Sequence, residues 1–191
     1  MSVKDREKWD KKYTEMTGLL AKRPPSAFVS DYFKDAPGTR ALDLACGGGR
    51  HSLFLAEEGF NVDAVDISTV ALEALRSQAN PDRINLIEAD LDTFMPETEA
   101  YDLIVKTNFL DRDLIERAKA ALKPGGIMVV ETYMADKGNE KPDSNPEFLL
   151  QKEELLSLFG EGFSILEYKE FWNEPHEKQC MRKQAIAVKK N

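Results

Sequence analysis

Between Arg40 and Tyr133 the chain alternates short strand-like runs with amphipathic helical ones, and this constrains the fold more than any other feature. Residues 40–45 (RALDLA) form an apolar run that ends at Gly47, Gly48 and Gly49. Residues 50–58 read as a helix stopped by Gly59, a suitable left-handed cap. Residues 61–66 (NVDAVD) are a strand, and Ser68 caps a helix that runs to Ala79. Two more strands follow at residues 84–89 and 101–106. Asp111 then caps a helix with Leu114, Ile115, Ala118, Ala121 and Leu122 on one stripe. Lys123-Pro124-Gly125-Gly126 turns the chain into residues 127–133, a run rich in β-branched residues. Strands that alternate with helices need crossover connections, and these give a parallel sheet with helices on both faces.

The flanks do not share this rhythm. Residues 3–14 are highly charged but place Trp9 and Tyr13 on one helical face. Pro24 and Pro25 open a second short helix with Phe28, Tyr32 and Phe33 on its apolar side, and Gly38 ends it. Downstream, residues 135–146 read as a long loop and residues 151–159 as a helix. Residues 163–171 and 180–189 are strands close enough to pair as a hairpin. A length of 191 residues favours one domain over 1–191. Its parts are a helical lid region (1–38), a ligand-binding core (39–133), a loop (134–150) and a closing helix with hairpin (151–191).

Charge and composition exclude several functions. There are 34 acidic against 26 basic residues, a net charge of −8. A nucleic-acid surface needs concentrated Lys and Arg, so no nucleic-acid partner is expected. No apolar run is long enough to span a membrane, and the opening MSVKDREKWDKKY is too charged for a signal-peptide core. Cys46 and Cys180 lack metal-like spacing and the only histidines are His51 and His176, so no metal is expected. The chain reads as cytoplasmic, reduced and free of membrane.

The glycine turn carries the chemistry. A strand, a tight turn and a helix N-terminus bring backbone N–H groups close to a ligand. The next strand ends at Asp66, roughly 20 residues on, where a carboxylate can accept both hydroxyls of a ribose. Dinucleotides and S-adenosylmethionine both fit this much. The dinucleotide fingerprint wants a third glycine where this chain has Ser52. Asp43, just before the glycines, suits a ligand ammonium better than a pyrophosphate. The third strand also ends acidic, at Asp90-Leu91, where an adenine amino group could be read.

These residues resemble the class I S-adenosylmethionine-dependent methyltransferases over most of the chain. The family's acidic-x-Gly-x-Gly-x-Gly motif reads here Asp43-x-Ala45-x-Gly47-x-Gly49, with Ala in the first glycine place and Cys46 after it. The resemblance implies an α/β Rossmann-like sandwich with a seven-stranded mixed sheet in the order 3-2-1-4-5-7-6. It implies a donor site of Tyr13, Asp43, Ala45, Cys46, Gly47, Gly49, Arg50, Asp66, Ile67, Asp90, Leu91 and Lys106, with S-adenosylhomocysteine as product. Trp9-Asp10-x-x-Tyr13, Cys46-Gly47-x-Gly49-Arg50 and Asn145-Pro146-x-Phe148-Leu149-Leu150 resemble the small tellurite-resistance-type branch, whose members have been linked to small soft or oxyanionic acceptors.

Open parallel sheets place ligands beyond the carboxyl ends of their strands. An acceptor pocket is therefore expected at Asn108, Phe109, Glu131 and Tyr133, bordered by Lys106 and Thr107. Trp9 and Tyr13 are lid candidates, and Trp172 and His176 at the hairpin tip could close over the acceptor. His51 reads as an ordinary surface or structural residue, and Cys46 as packing. Asn108-Phe109-Leu110 is not the Asn-Pro-Pro-aromatic signature that holds a flipped base. With no acid–base dyad evident, the expected reaction is in-line methyl transfer to a small acceptor, driven by proximity. The remaining readings are an NAD- or NADP-dependent oxidoreductase and a non-catalytic S-adenosylmethionine-binding protein. A monomer or homodimer is expected.

Overall fold

A computed structural model describes residues 3–141, 144–173 and 179–191. Seven strands form one sheet in the order β3-β2-β1-β4-β5-β7-β6. They are β1 Arg40–Leu44, β2 Asn61–Asp66, β3 Ile84–Glu88, β4 Tyr101–Thr107, β5 Leu122–Tyr133, β6 Phe163–Trp172 and β7 Arg182–Lys190. β1 to β5 pair in parallel, while β7 runs antiparallel to both β5 and β6. The alternation and the expected strand order are both realised.

The helices are α1 Val3–Glu15, α2 Ala27–Tyr32, α3 Arg50–Glu57, α4 Thr69–Arg76, α5 Arg112–Ala121 and α6 Glu154–Leu158. One face of the sheet presents Leu103, Val105, Val129 and Ala187 to Phe28, Leu55 and Leu75 of α2, α3 and α4. The other presents Leu42, Ile104, Met128 and Ile186 to Leu114, Ala118 and Leu155 of α5 and α6. Period-two alternation sends adjacent strand residues to opposite faces, so each strand supplies both cores. Ser68 and Asp111 cap as expected, accepting from Ala71 N–H (3.2 Å) and Leu114 N–H (2.9 Å).

Several boundaries differ from the sequence expectation, each for a local reason. The second helix starts at Ala27 rather than at the prolines, with Ser26 extended as its N-cap. The turn at residues 123–126 sits inside β5 as an irregularity, with Tyr101 opposite Leu122 and Leu103 opposite Ile127. Glu153 adopts φ 58, which keeps it out of the last helix and shortens α6. β7 begins at Arg182 because the Cys180 N–H is drawn to the Glu140 carboxylate (2.7 Å) and the Met181 N–H to Asn173 Oδ1 (3.1 Å). Among the described residues no helix is long and apolar enough to cross a membrane.

Gly38 does not end the second helix, which stops at Tyr32 and is followed by a 3-10 turn to Asp35; its place is set by a carboxylate. A Cβ there would lie 2.7 Å from Asp102 Oδ2. That buried carboxylate accepts the Arg40 N–H at 3.0 Å and Lys123 Nζ at 3.0 Å, fixing the start of β1 against β4 and β5. Gly38→Ala is expected to cost about 1–3 kcal/mol, read as a lower urea midpoint with unchanged slope. An unchanged midpoint would show that Asp102 yields freely.

Candidate functional site

β1 ends in a loop that only unusual backbone can trace. Ala45 (φ 57), Gly47 (φ 53) and Gly49 (φ 79) all take the left-handed conformation, in alternation. The Cys46 N–H donates to Val65 O (3.0 Å), holding the loop beside β2, and the Gly49 N–H closes back on Cys46 O (2.9 Å). At Gly49 an added Cβ would overlap the methyl groups of Leu75, so the loop also needs glycine for space.

Asp66, the last residue of β2, organises what surrounds this loop. Its Oδ2 accepts the Gly47 N–H at 2.8 Å and its Oδ1 the Ser68 N–H at 2.9 Å. Burial pushes its carboxyl pKa up, against the pull of these backbone donors. An ionised carboxylate has about four acceptor sites, so capacity remains for a ligand hydroxyl. Ile67 and Leu91 are buried, and Asp90, two residues past β3, accepts the Asp92 N–H at 2.9 Å.

Asp43 lies in the floor rather than the wall. It is buried, and its Oδ2 accepts the Ser52 hydroxyl at 2.6 Å. Burial raises its pKa to about 6, opposed by the Ser52 hydrogen bonds and by the charge of Arg50. Ser52, in the third glycine place of a dinucleotide fingerprint, is the partner of that carboxylate.

α1 roofs the loop. A Cβ on Gly47 would be 2.9 Å from the Tyr13 hydroxyl, which places that hydroxyl directly over the turn. Burial raises the Tyr13 pKa, as do Asp66 and Cys46. Trp9 packs on Tyr13 with ring centroids 5.8 Å apart. The helix is pinned by Asp10, a residue the sequence reading left without a role. Its Oδ1 accepts from Ser68 Oγ (2.6 Å) and the Val70 N–H (3.3 Å), and its Oδ2 from Thr69 Oγ1 (3.2 Å). The signal lay in Trp9-Asp10-x-x-Tyr13, whose spacing puts Asp10 and Tyr13 on one side of the helix.

Beyond β4 and β5, register gathers a second polar group on the α3 face. Thr107 pairs with Glu131, and Tyr133 with Lys183. The buried Lys183 ammonium meets Glu131 Oε1 at 3.2 Å and lies 4.8 Å from the Tyr133 ring centre. His51 joins them from α3. Its Nε2 accepts the Ser26 N–H (3.3 Å), and its Nδ1 lies 3.5 Å from Thr107 Oγ1. Burial and then the charges of Arg50, Arg23 and Lys183 hold His51 well below its ordinary pKa, so the imidazole is neutral. Of the two expectations for His51, surface or structural, it is the structural one that holds, as a residue of the core. Lys183 went unnoticed in the sequence, although alternation in β7 already placed it on one face with Ala185 and Ala187.

The other candidates scatter. Lys106 projects to the opposite face, where it is fully buried and donates to Phe109 O. Burial lowers its pKa to about 7. Asn108 (φ 57) donates its N–H to Glu131 O at 2.8 Å and is exposed at the end of β4. Phe109 packs against the α5 face. Trp172 ends β6 opposite Arg182, whose guanidinium lies 5.5 Å from its ring, and its indole abuts Gly138. It therefore sits on the α6 face, away from the Glu131–Lys183 group. His176 lies outside the described residues.

Two outcomes are expected of this geometry. Native Asp43 holds a proton up to about pH 6, whereas in the unfolded chain it releases it near pH 4. Its contribution is thus fully present below pH ~4 and lost as pH rises through ~6, about 3 kcal/mol in all. Asp43→Asn should therefore gain on the wild type by about 2–3 kcal/mol between pH 4 and pH 7 in paired urea titrations; parallel pH profiles would refute this. Ala45→Gly should raise stability by about 0.5–1 kcal/mol, by relieving a left-handed alanine. Its check is the thermal midpoint.

Residues 41–126 match the family described as a methyltransferase domain. A Haemophilus influenzae protein named probable S-adenosyl-L-methionine-dependent methyltransferase TehB is 28% identical over 78% of this chain and 54% of its own length. A Rickettsia prowazekii protein named ubiquinone biosynthesis O-methyltransferase is 27% identical over 54% of this chain and 44% of its own. The chain thus spans about half the length of the curated relatives it matches. The crystal structure of TehB from Haemophilus influenzae superposes with a TM-score of 0.74 at 22% identity, covering 95% of this chain and 67% of that one. Residues 41–126 thus carry a methyltransferase domain, and by sequence and by fold this chain resembles the class I S-adenosylmethionine-dependent methyltransferases, the TehB branch among them.

Proposed function

We propose that this chain, acting as one domain in the cytoplasm as a monomer or homodimer, methylates a small-molecule acceptor such as a thiol or a chalcogen oxyanion. The carrying observation is the left-handed loop of Ala45, Gly47 and Gly49, tied to the Asp66 carboxylate and roofed by Tyr13. In this reading Asp66 receives the ribose hydroxyls, Ile67, Asp90 and Leu91 border the adenine, and Asp43, Arg50 and Tyr13 surround the amino-acid end. Lys106 borders this pocket from the far face of β4. The bound donor supplies an electrophilic sulfonium methyl group.

The protein's own part is to position and to exclude water. Trp9 and Tyr13 cover the loop. Glu131, Tyr133 and Asn108, at the ends of β4 and β5, border the acceptor, while Phe109 packs on the α5 face. None of these offers a free general base: Glu131 is engaged by Lys183, and both ring nitrogens of the neighbouring His51 are occupied. An acceptor that is already ionised or strongly nucleophilic needs none. The net charge of −8 disfavours a nucleic-acid acceptor.

Thermal melts with S-adenosylmethionine, S-adenosylhomocysteine, NAD and NADP test the donor. Ligand at a hundred times its dissociation constant adds about 2.7 kcal/mol, or roughly 5–10 °C for a domain of this size. Both sulfur ligands should give the shift and neither dinucleotide should; the reverse pattern would return Asp66 to a dinucleotide site. A screen of thiols, chalcogen oxyanions and small amines then seeks the acceptor, and turnover of none would favour a non-catalytic binding protein. Once an acceptor is known, single alanine replacements at Glu131, Tyr133 and Asn108 should each lower kcat by no more than about 100-fold. A loss of many decades with donor binding intact would establish acid–base catalysis instead.

A further inference from the structure

The hydrogen bonds around His51 leave one proton over at the end of β4. The Ser26 N–H donates to His51 Nε2 from 3.3 Å, so that nitrogen is an acceptor and carries no hydrogen. A ring with a bare Nε2 holds its single proton on Nδ1. Nδ1 lies 3.5 Å from Thr107 Oγ1, which makes the hydroxyl oxygen the acceptor of that N–H. The opposite tautomer would set two N–H groups against each other at Ser26. His51 and Thr107 are both buried, so water does not compete freely for either contact.

A hydroxyl that accepts on its oxygen still has its own proton to donate. Among the described residues no acceptor takes the Thr107 proton. Glu131, its cross-strand neighbour, is turned to Lys183 instead. Thr107 is the last residue of β4, and the chain leaves the sheet at Asn108 with φ 57. The spare proton therefore stands where an open parallel sheet places its ligands, beyond the carboxyl ends of the strands.

We propose that His51 is a positioning residue that holds the Thr107 hydroxyl as a hydrogen-bond donor to the methyl acceptor, and that this donor selects an acceptor bearing an oxygen beside its nucleophilic atom. Sulfur accepts hydrogen bonds weakly, so a simple thiol gains little from such a donor, whereas an oxyanion gains a charge-assisted bond. Neither residue moves a proton in the reaction: His51 stays neutral and Thr107 keeps its hydrogen, in line with transfer by positioning. The assignment rests on the ends of β4 and β5 being the acceptor site.

The chain has only two histidines, His51 and His176, so nitrogen-15 NMR separates their imidazoles, and His51→Asn identifies the first. A bare Nε2 and a protonated Nδ1 are expected for His51 at neutral pH; a proton on Nε2 overturns the proposal. Methyl transfer is then followed with selenite as the oxygen-bearing probe and 2-mercaptoethanol as the thiol, beside calorimetric binding of S-adenosylhomocysteine. Thr107→Val should lower kcat/KM for selenite by about 10- to 100-fold and leave the thiol and S-adenosylhomocysteine unaffected, while Thr107→Ser should stay near the wild type. His51→Leu should repeat the valine pattern, and His51→Asn, whose amide nitrogen takes the place of Nδ1, should restore most of the loss. Equal losses on both probes, or weakened S-adenosylhomocysteine, would show a merely structural role and overturn the proposal. So would a wild type that binds S-adenosylhomocysteine yet leaves selenite unmethylated. A wild type that binds no S-adenosylhomocysteine would overturn the donor site itself, and the acceptor site with it.

Discussion

A chain that leaves a β-strand through three left-handed residues exposes backbone N–H groups that no regular structure satisfies, and the Asp66 carboxylate meets that need here. It takes the Gly47 N–H on one oxygen and the Ser68 N–H on the other. Ser68 in turn caps α4 through Ala71 and donates its hydroxyl to Asp10. The glycine loop, the end of β2, the start of α4 and the lid helix α1 are thus joined through one buried charge. Burial disfavours that charge, and the backbone donors offset the penalty. In the proposed function the same carboxylate also receives the ribose hydroxyls, so one group would both hold the loop together and read the ligand.

The two faces of the sheet end differently beyond β4 and β5. On the α5 face Lys106 is a buried amine bonded to the backbone at Phe109. On the α3 face Thr107, Glu131, Lys183 and His51 form a polar group in which each charge has a partner. Breaking such a pair would leave an uncompensated charge in the interior, which costs far more than the intact pair contributes. Glu131 and Lys183 are therefore suited to holding shape rather than moving protons. This agrees with a reaction in which positioning supplies the rate.

Much of this was legible in the residues. Alternating periods marked β1 to β5 and the helices between them, and Ser68 and Asp111 announced their caps. Asp66 and the glycines stood out because few residue types tolerate that turn and fewer meet a ribose. Trp172 misled, because a hairpin tip close in sequence to a site need not share its face: β6 lies two strands out from β5, and the pairing with Arg182 turns the indole toward Gly138. For Asp10 and Lys183 the spacing in α1 and the alternation in β7 gave the face, but the partners Ser68 and Glu131 that define their parts come from distant segments.

The sequence alone determined the layered α/β class, the place of the glycine loop and the acid at the end of β2. These depend on local rules: side-chain period, capping chemistry and the backbone freedom of glycine. Only the tertiary structure decided that α1 is pinned by Asp10 and that His51 is a neutral core residue. Those facts depend on which distant groups meet in a medium of low polarity. Charge and hydrogen-bond demands there are met or left unmet by residues far apart in the chain, and no local pattern encodes such a meeting.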